Sequence, residues 1–472
     1  MQKKNKMKIW LLLFALLFWI ENADSQDSSK TIFTYQEFID IVTEHHPLSK
    51  SADIELSKGD ANLLYAKGAF DPVLFSEINQ KYFDGTQYYN KMNSGLKIPT
   101  WFGMQFTGGY EQNQGAYLNP ESVNPNAGLI YAGVSLSVGQ GLMIDKRRAE
   151  LKKAHLVKQN AVTEKQIALN NLIYEAGVSY WHWFKSYHSL LVYENAQKLA
   201  KERFNAVRQE ALLGDRPFVD TLEAGIQVQN RILGVQQLKL EFKNQSGLLA
   251  IYLWENGVIP LELKSDVIPE SQDFDLADNI QLEKLQDSLL NTHPLLNQQQ
   301  NKISQLEVEQ KWKKEQLKPI VNLKYNPIVE PVGDEVFSNY SINNYTWGIG
   351  VKMPILLRKE RGNLKLTNLQ IQESNLQLAN KRAILQYKQD YSFNNWKTSI
   401  EQINLYSKTT EDYLNLLKAE RQLFNEGESS LFMVNSREVG YIQTELKLID
   451  LLVKNRKAKL SAEFAYGQLF AY

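Results

Sequence analysis

The stretch GLIYAGVSLSVG, residues 128–139, decides how this chain is read. It alternates strictly, with Ile130, Ala132, Val134, Leu136 and Val138 on one side and Tyr131, Gly133, Ser135 and Ser137 on the other. Successive side chains of a strand point to opposite faces, so this strand has one greasy face and one small or polar face. Tyr345, Trp347, Ile349, Val351 and Met353 do the same opposite Asn344, Thr346, Gly348, Gly350 and Lys352. Leu96, Ile98, Phe102, Met104 and Phe106 repeat it opposite Lys97, Gln105 and Thr107. Such dyad patterning marks strands of a transmembrane barrel. A soluble antiparallel sheet resting one face on a core alternates in the same way, but no amphipathic helix is left over to cover that face. Aromatic residues crowd the segment ends (Tyr82, Phe83, Trp101, Phe102, Tyr345, Trp347), where interfacial girdles sit.

Outward from these strands the chain repeats itself. His46-Pro47-Leu48 recurs as His293-Pro294-Leu295, and a second proline follows at equal intervals, Pro72 and Pro319. Gly133–Leu136 answers Gly348–Val351. Beyond that a constant offset pairs Tyr174 with Tyr387, Trp183 with Trp396, Ala206 with Ala419 and Gly214 with Gly427. The expected organisation is a leader at 1–25, a first repeat at 26–254, a linker with at most one short strand at 255–275, and a second repeat at 276–472. Each repeat reads helix, strand, strand, helix, helix. The first helices are expected over Tyr35–Phe70 and Leu276–Leu317. Very long ones follow over Arg148–Leu213 and Arg361–Glu426, ended by Gly214 and Gly427 as C′ glycines. Last helices cover Val219–Tyr252 and Leu431–Phe470. The long helices, of about 65 residues, extend roughly 100 Å, and the two shorter helices of each repeat together match that length. Leu369, Leu376, Ile384, Tyr387, Tyr391, Ile403 and Leu414 form a narrow seam near coiled-coil spacing, with polar residues elsewhere. This suits a wall one helix thick, or a plain coiled-coil rod.

Composition removes several function classes. The formal net charge is +0 and basic residues interleave with acidic ones, so no stripe for nucleic acid exists. There is no cysteine, which excludes disulfides, thiolate metal sites and lipid attachment to Cys. His45-His46 and His182 have no metal-ligand partners at helical or hairpin spacing. No paired-carboxylate pocket, nucleophile elbow or phosphate loop stands out, so neither an enzyme nor a cofactor is expected. Lys3, Lys4, Lys6 and Lys8 precede the apolar run Ile9–Ile20, and Ala23-Asp24-Ser25 offers a cleavage site before Gln26. This reads as a secretory signal, or alternatively as a short membrane anchor. After Ile20 no apolar stretch approaches the roughly 20 residues of a transmembrane helix.

The second repeat has two strands, Ile320–Ile328 and Asn344–Met353. The first has two, or four if Pro99-Thr100 is a turn. Single-chain barrels begin at about eight strands, and open edges cannot face lipid. Several copies must therefore share one barrel.

The residues assembled so far resemble the TolC-like outer-membrane efflux family over nearly the whole mature chain. The marks are the His46-Pro47 and His293-Pro294 helix starts, Pro72 and Pro319 at the helix-to-strand turns, Met353-Pro354-Ile355-Leu356 with Arg358–Gly362 at the strand-to-helix exit, and the glycine tips Gly214–Asp220 and Gly427–Val434. The resemblance implies a mainly α fold with a β-barrel portion. It implies a homotrimer with a shared twelve-strand barrel in outer-membrane lipid, continued by a long α-helical barrel into the periplasm of a Gram-negative cell. An extra hairpin in the first repeat would raise that strand count. A periplasmic adaptor protein and an inner-membrane transporter are the implied partners. Asp220 and Glu223 match the family's aperture acids and Arg216 a linking arginine, although an acid in a helix's first turn is also favoured by the helix dipole alone. The second repeat has Met433 and Ser436 where acids would be expected. Leu213, Gly214, Pro217, Phe218, Gly427, Ser430, Leu431 and Phe432 form either an adaptor-docking surface or local hairpin packing. The leading function is a passive exit duct of a tripartite efflux or secretion system. The competing one is a secreted or periplasmic coiled-coil structural or adhesive protein, which the strand alternation opposes.

Overall fold

The computed structural model describes residues 31–264, 266–272, 292–331 and 340–471. The expected leader, and residues 276–291 of the helix expected from Leu276, lie outside them. The described residues form two compact bodies, one drawn from 31–47, 173–272 and 394–460, the other from 48–172, 292–393 and 461–471.

The first body is helical. It opens with β1 (Thr31–Phe33) and α1 (Tyr35–His45). Thr34 and Glu37 close a capping box, the Glu37 N–H donating to Thr34 Oγ1 at 3.3 Å and the Thr34 N–H to the Glu37 carboxylate at 2.9 Å. The expected helix Tyr35–Phe70 is broken at His46. Pro47 cannot donate a backbone hydrogen bond and drives the preceding residue out of helical geometry. His46 accordingly sits at φ −68°, ψ 139°, and a new helix, α2 (Pro47–Gly68), begins. Two helical hairpins follow in chain order, α3 (Lys146–Leu213) with α4 (Phe218–Ala250), then α6 (Arg358–Asn425) with α7 (Leu431–Tyr466). Both long helices have 68 residues and contribute to both bodies. Aromatic side chains, all buried but the half-buried Tyr35, tie α1 to α3: Tyr35 stacks on Trp181 at 5.2 Å, Phe38 on Tyr180 at 5.7 Å, and the Tyr180 hydroxyl donates to the Phe33 carbonyl at 2.8 Å. The 255–275 segment holds more structure than expected. A short pair, β6 (Trp254–Glu255) and β7 (Ile259–Pro260), precedes β8 (Val267–Pro269), which runs parallel to β1. A three-residue parallel pair has no alternation long enough to show in sequence.

The second body carries the sheet. Its strands are β2 (Val73–Phe83), β3 (Thr86–Pro99), β4 (Met104–Gln114), β5 (Leu129–Gly139), β9 (Ile320–Val329) and β10 (Tyr345–Lys352), in the order β10-β9-β5-β4-β3-β2, all antiparallel. The first repeat therefore supplies four strands. Asp84-Gly85, both with positive φ (50° and 73°), close a two-residue hairpin between β2 and β3. Thr100 reverses the chain between β3 and β4, its backbone N–H reaching the Met104 carbonyl at 2.9 Å. Phe102, which the alternation places on a strand, lies in that turn. α2 packs closely on α3 through Gly59, where an added Cβ would meet the Ala161 Cβ at 3.0 Å. Leu63, Ala66 and Ala154 continue that contact. α5 (Pro294–Glu315) starts at His293, whose Nδ1 accepts from the Leu295 N–H at 3.1 Å.

Candidate functional site in the sheet face and the helix tips

The register joins the alternating rows into one surface. Ile98, Phe106, Val134, Tyr325 and Trp347 are successive cross-strand partners, as are Met104, Leu136, Leu323 and Ile349. Leu74 and Ile78 extend this face onto β2 opposite Leu96 and Met92. The other face carries Glu77, Lys97, Thr107, Ser135, Lys324 and Gly350. Antiparallel neighbours share a face at directly opposed positions, so the matching alternation on β4, β5, β9, β10 and the Leu96–Ile98 end of β3 yields one apolar and one polar side, while β2 puts Leu74 and Ile78 on the apolar side and Val73 and Phe75 on the other. Leu74 at 81% and Trp347 at 67% exposure are covered by nothing among the described residues. Strand lengths of 8 to 14 residues bracket the roughly 9–11 that a tilted strand needs to cross a bilayer. Among the described residues no helix is long and apolar enough to cross a membrane.

The helix tips lie in the helical body. Both end in the same way. Gly214 (φ 86°) and Gly427 (φ 82°) sit in the left-handed region. The Asp215 N–H donates to the Glu210 carbonyl at 3.0 Å and the Glu428 N–H to the Leu423 carbonyl at 2.9 Å, completing Schellman motifs. Between the hairpins is a small core of Val207, Ala224, Phe424, Leu431 and Val434. Leu431, grouped by sequence with the docking surface, is therefore only 3% exposed, because its side chain fills this core. Leu213, Phe218 and Phe432 do project outward, at 77, 70 and 67% exposure, and Gly214, Pro217, Gly427 and Ser430 are exposed beside them.

The three residues expected at an aperture have different surroundings. Arg216 pairs with Glu210 of the preceding helix and lies over the Phe424 ring, 4.1 Å from its centroid. Glu223 accepts from Asn435 Nδ2 at 2.9 Å, which ties α4 to α7. Asp220 is half-buried, and its carboxylate has no hydrogen-bond or ionic partner among the described residues.

Sequence reasoning missed the group behind them. Glu438 on α7 is buried and pairs with Arg203 of α3, with Arg421 of α6 at 3.3 Å and with Arg231 of α4 at 3.9 Å. Arg203 also donates to Asn435 at 2.8 Å, so one polar network joins all four helices. Removing Glu438 would cost about 3–5 kcal/mol, because the arginines around it would be left uncompensated. Its sequence signal was an acid on the buried stripe that Leu431, Val434 and Ile442 define. Among the described residues no group of three or more His, Asp or Glu is placed to hold a metal ion.

Compared by sequence, the chain matches no protein-family model and no curated protein. Compared by structure, it is similar to outer-membrane channels. The CmeC outer membrane channel of Campylobacter jejuni superposes with a TM-score of 0.64 at 13% identity, covering 92% of this chain and 85% of that one. The open state of the MtrE outer membrane channel of Neisseria gonorrhoeae gives 0.66 at 14%, covering 92% and 89%. The outer membrane protein VceC of Vibrio cholerae gives 0.62 at 12%, covering 92% and 96%.

Proposed function

We propose, for a chain that has the fold of the TolC-like outer-membrane channels, that it is the exit-duct subunit of a tripartite efflux or secretion system. It works passively in the outer membrane of a Gram-negative cell, with an inner-membrane transporter as its motor and a periplasmic adaptor bridging the two. The observation that carries this reading is the apolar face shared by β4, β5, β9 and β10 and extended by Leu74 and Ile78 onto β2, which nothing among the described residues covers. Lipid on that face and other copies at the strand edges resolve both exposures. The copies are three in this reading, and each is a duplicated unit of residues 26–254 and 276–472 joined by 255–275.

The tips take the partner-facing roles. Asp220, with Arg216 and Glu223 beside it, lines the periplasmic aperture, where acids repeated around the symmetry axis attract cations. Leu213, Gly214, Pro217, Phe218, Gly427, Ser430 and Phe432 dock the adaptor. Leu431 is left out, being part of the tip core. Cell fractionation with light scattering of the detergent-extracted protein tests the whole: outer-membrane recovery and a three-chain mass are expected. Recovery as a soluble secreted or periplasmic protein would favour a coiled-coil structural role and sink the channel.

A further inference from the structure

The sheet ends in two edges, β2 and β10, which pair with no further strand among the described residues. β2 leads away from α2 and β10 leads back to α6. A β10 laid beside the β2 of another copy therefore runs antiparallel to it, like every neighbouring pair within the sheet. The stagger supports closure. The partner line through Ile98, Phe106, Val134, Tyr325 and Trp347 passes one residue short of Val73, where β2 begins, yet lies five residues above Lys352, where β10 ends. Six residues of slip are about 20 Å against five strand spacings of about 24 Å, a tilt of about 40°. Closed membrane barrels tilt their strands by about 35–45°.

The β2–β3 hairpin belongs to the wall. Leu74 and Ile78 carry the apolar row to the outermost strand. The turn at Thr100–Gly103 rests on the base of α3, where the Arg148 guanidinium lies 3.2 Å from the position of a Cβ on Gly103 and binds the Leu142 carbonyl at 3.1 Å. The strand leaving α2 is also β2 itself, so shedding the hairpin would detach that helix from the wall.

We propose that the barrel closes through seams between β10 of one copy and β2 of the next, so that each copy contributes six strands and the trimer, taken from the function proposed above, encloses eighteen. The resemblance implied twelve. Diameter grows roughly linearly with strand number, so the mouth is about one and a half times as wide. Apolar side chains must stay on one face across the seam. A slip of about one residue per strand then leaves two registers, Leu74 opposite Val351 or Ser76 opposite Val351.

Because the chain has no cysteine, engineered pairs report cleanly. Full-length Leu74→Cys/Val351→Cys and Ser76→Cys/Val351→Cys proteins are oxidised in outer membranes and run on non-reducing gels. One of them should give disulfide-linked trimers, while Phe106→Cys/Val351→Cys, which bridges only if β4 is the edge, should not. Bridging through Phe106, or trimers that neither β2 pair links, overturns the seam. Hydrogen exchange of the unaltered trimer is an independent check: the amides of β2 and β10 should be protected as well as those of β4 and β9, and fast exchange along β2 overturns the proposal. A single-chain mass by light scattering instead overturns the shared barrel on which the seam rests.

Discussion

Single side chains set the acid tolerance of the fold. His293 caps α5 and is 3% exposed, its ring against Gly467, whose φ is 67°. Burial pushes its imidazole down to about 4. Burial also lowers His46, His182 and His188. In the unfolded chain His293 takes up a proton near pH 6.5, whereas in the folded chain it does so only near pH 4. Between those values the unfolded state holds the extra proton, so stability falls as pH drops through the window, by up to about 3 kcal/mol from this group. His293→Asn keeps a cap acceptor and should flatten part of that slope in thermal melts followed by circular dichroism. An unchanged slope would assign the acid sensitivity to other groups.

At the scale of elements, the two faces of the sheet should respond oppositely to charge. Val134→Arg places a cation on the apolar face and should cost about 2–4 kcal/mol near the bilayer centre, read as lost folded protein in outer-membrane fractions and earlier urea unfolding. Ser135→Arg, one residue on, points to the polar face and should be tolerated. Equal damage from both would remove the assignment of faces. Those faces were legible in residues 128–139 because alternation is local. The number of strands was not legible. The run Leu96–Phe106 keeps its alternation through Phe102, and only the cross-strand pairing of Ile98 with Phe106 shows a reversal between them. The break at His46 was written in Pro47, but the helical pattern runs on either side of it and hid the break.

For the assembled molecule the prediction concerns permeation. Asp220→Ala with Glu223→Ala should raise conductance or lower cation selectivity in planar bilayers, since it removes the acids proposed for the aperture. Asp220 has no partner among the described residues and Glu223 binds Asn435, so the selectivity change should follow Asp220 and any widening should follow Glu223. Unchanged conductance and selectivity would take the aperture away from these residues. The Glu438 network lies between the same helices and holds them together within one chain. Pattern reading passed it over, because a lone acid in a polar-rich helix reads as solvated surface until its three arginines come from other helices.

By itself the sequence determined the features that depend on neighbours a few residues away. These are the two-faced strands and the left-handed glycines Gly214 and Gly427 that end the long helices. Tertiary structure alone decided which local options were taken. It made Thr100–Gly103 a turn and so set six strands, turned Leu431 into the tip core, and gathered Arg203, Arg231 and Arg421 around Glu438. The physical reason is range: backbone conformation and alternation are written in adjacent residues, whereas strand pairing, burial and charge compensation depend on groups that folding brings together from far along the chain.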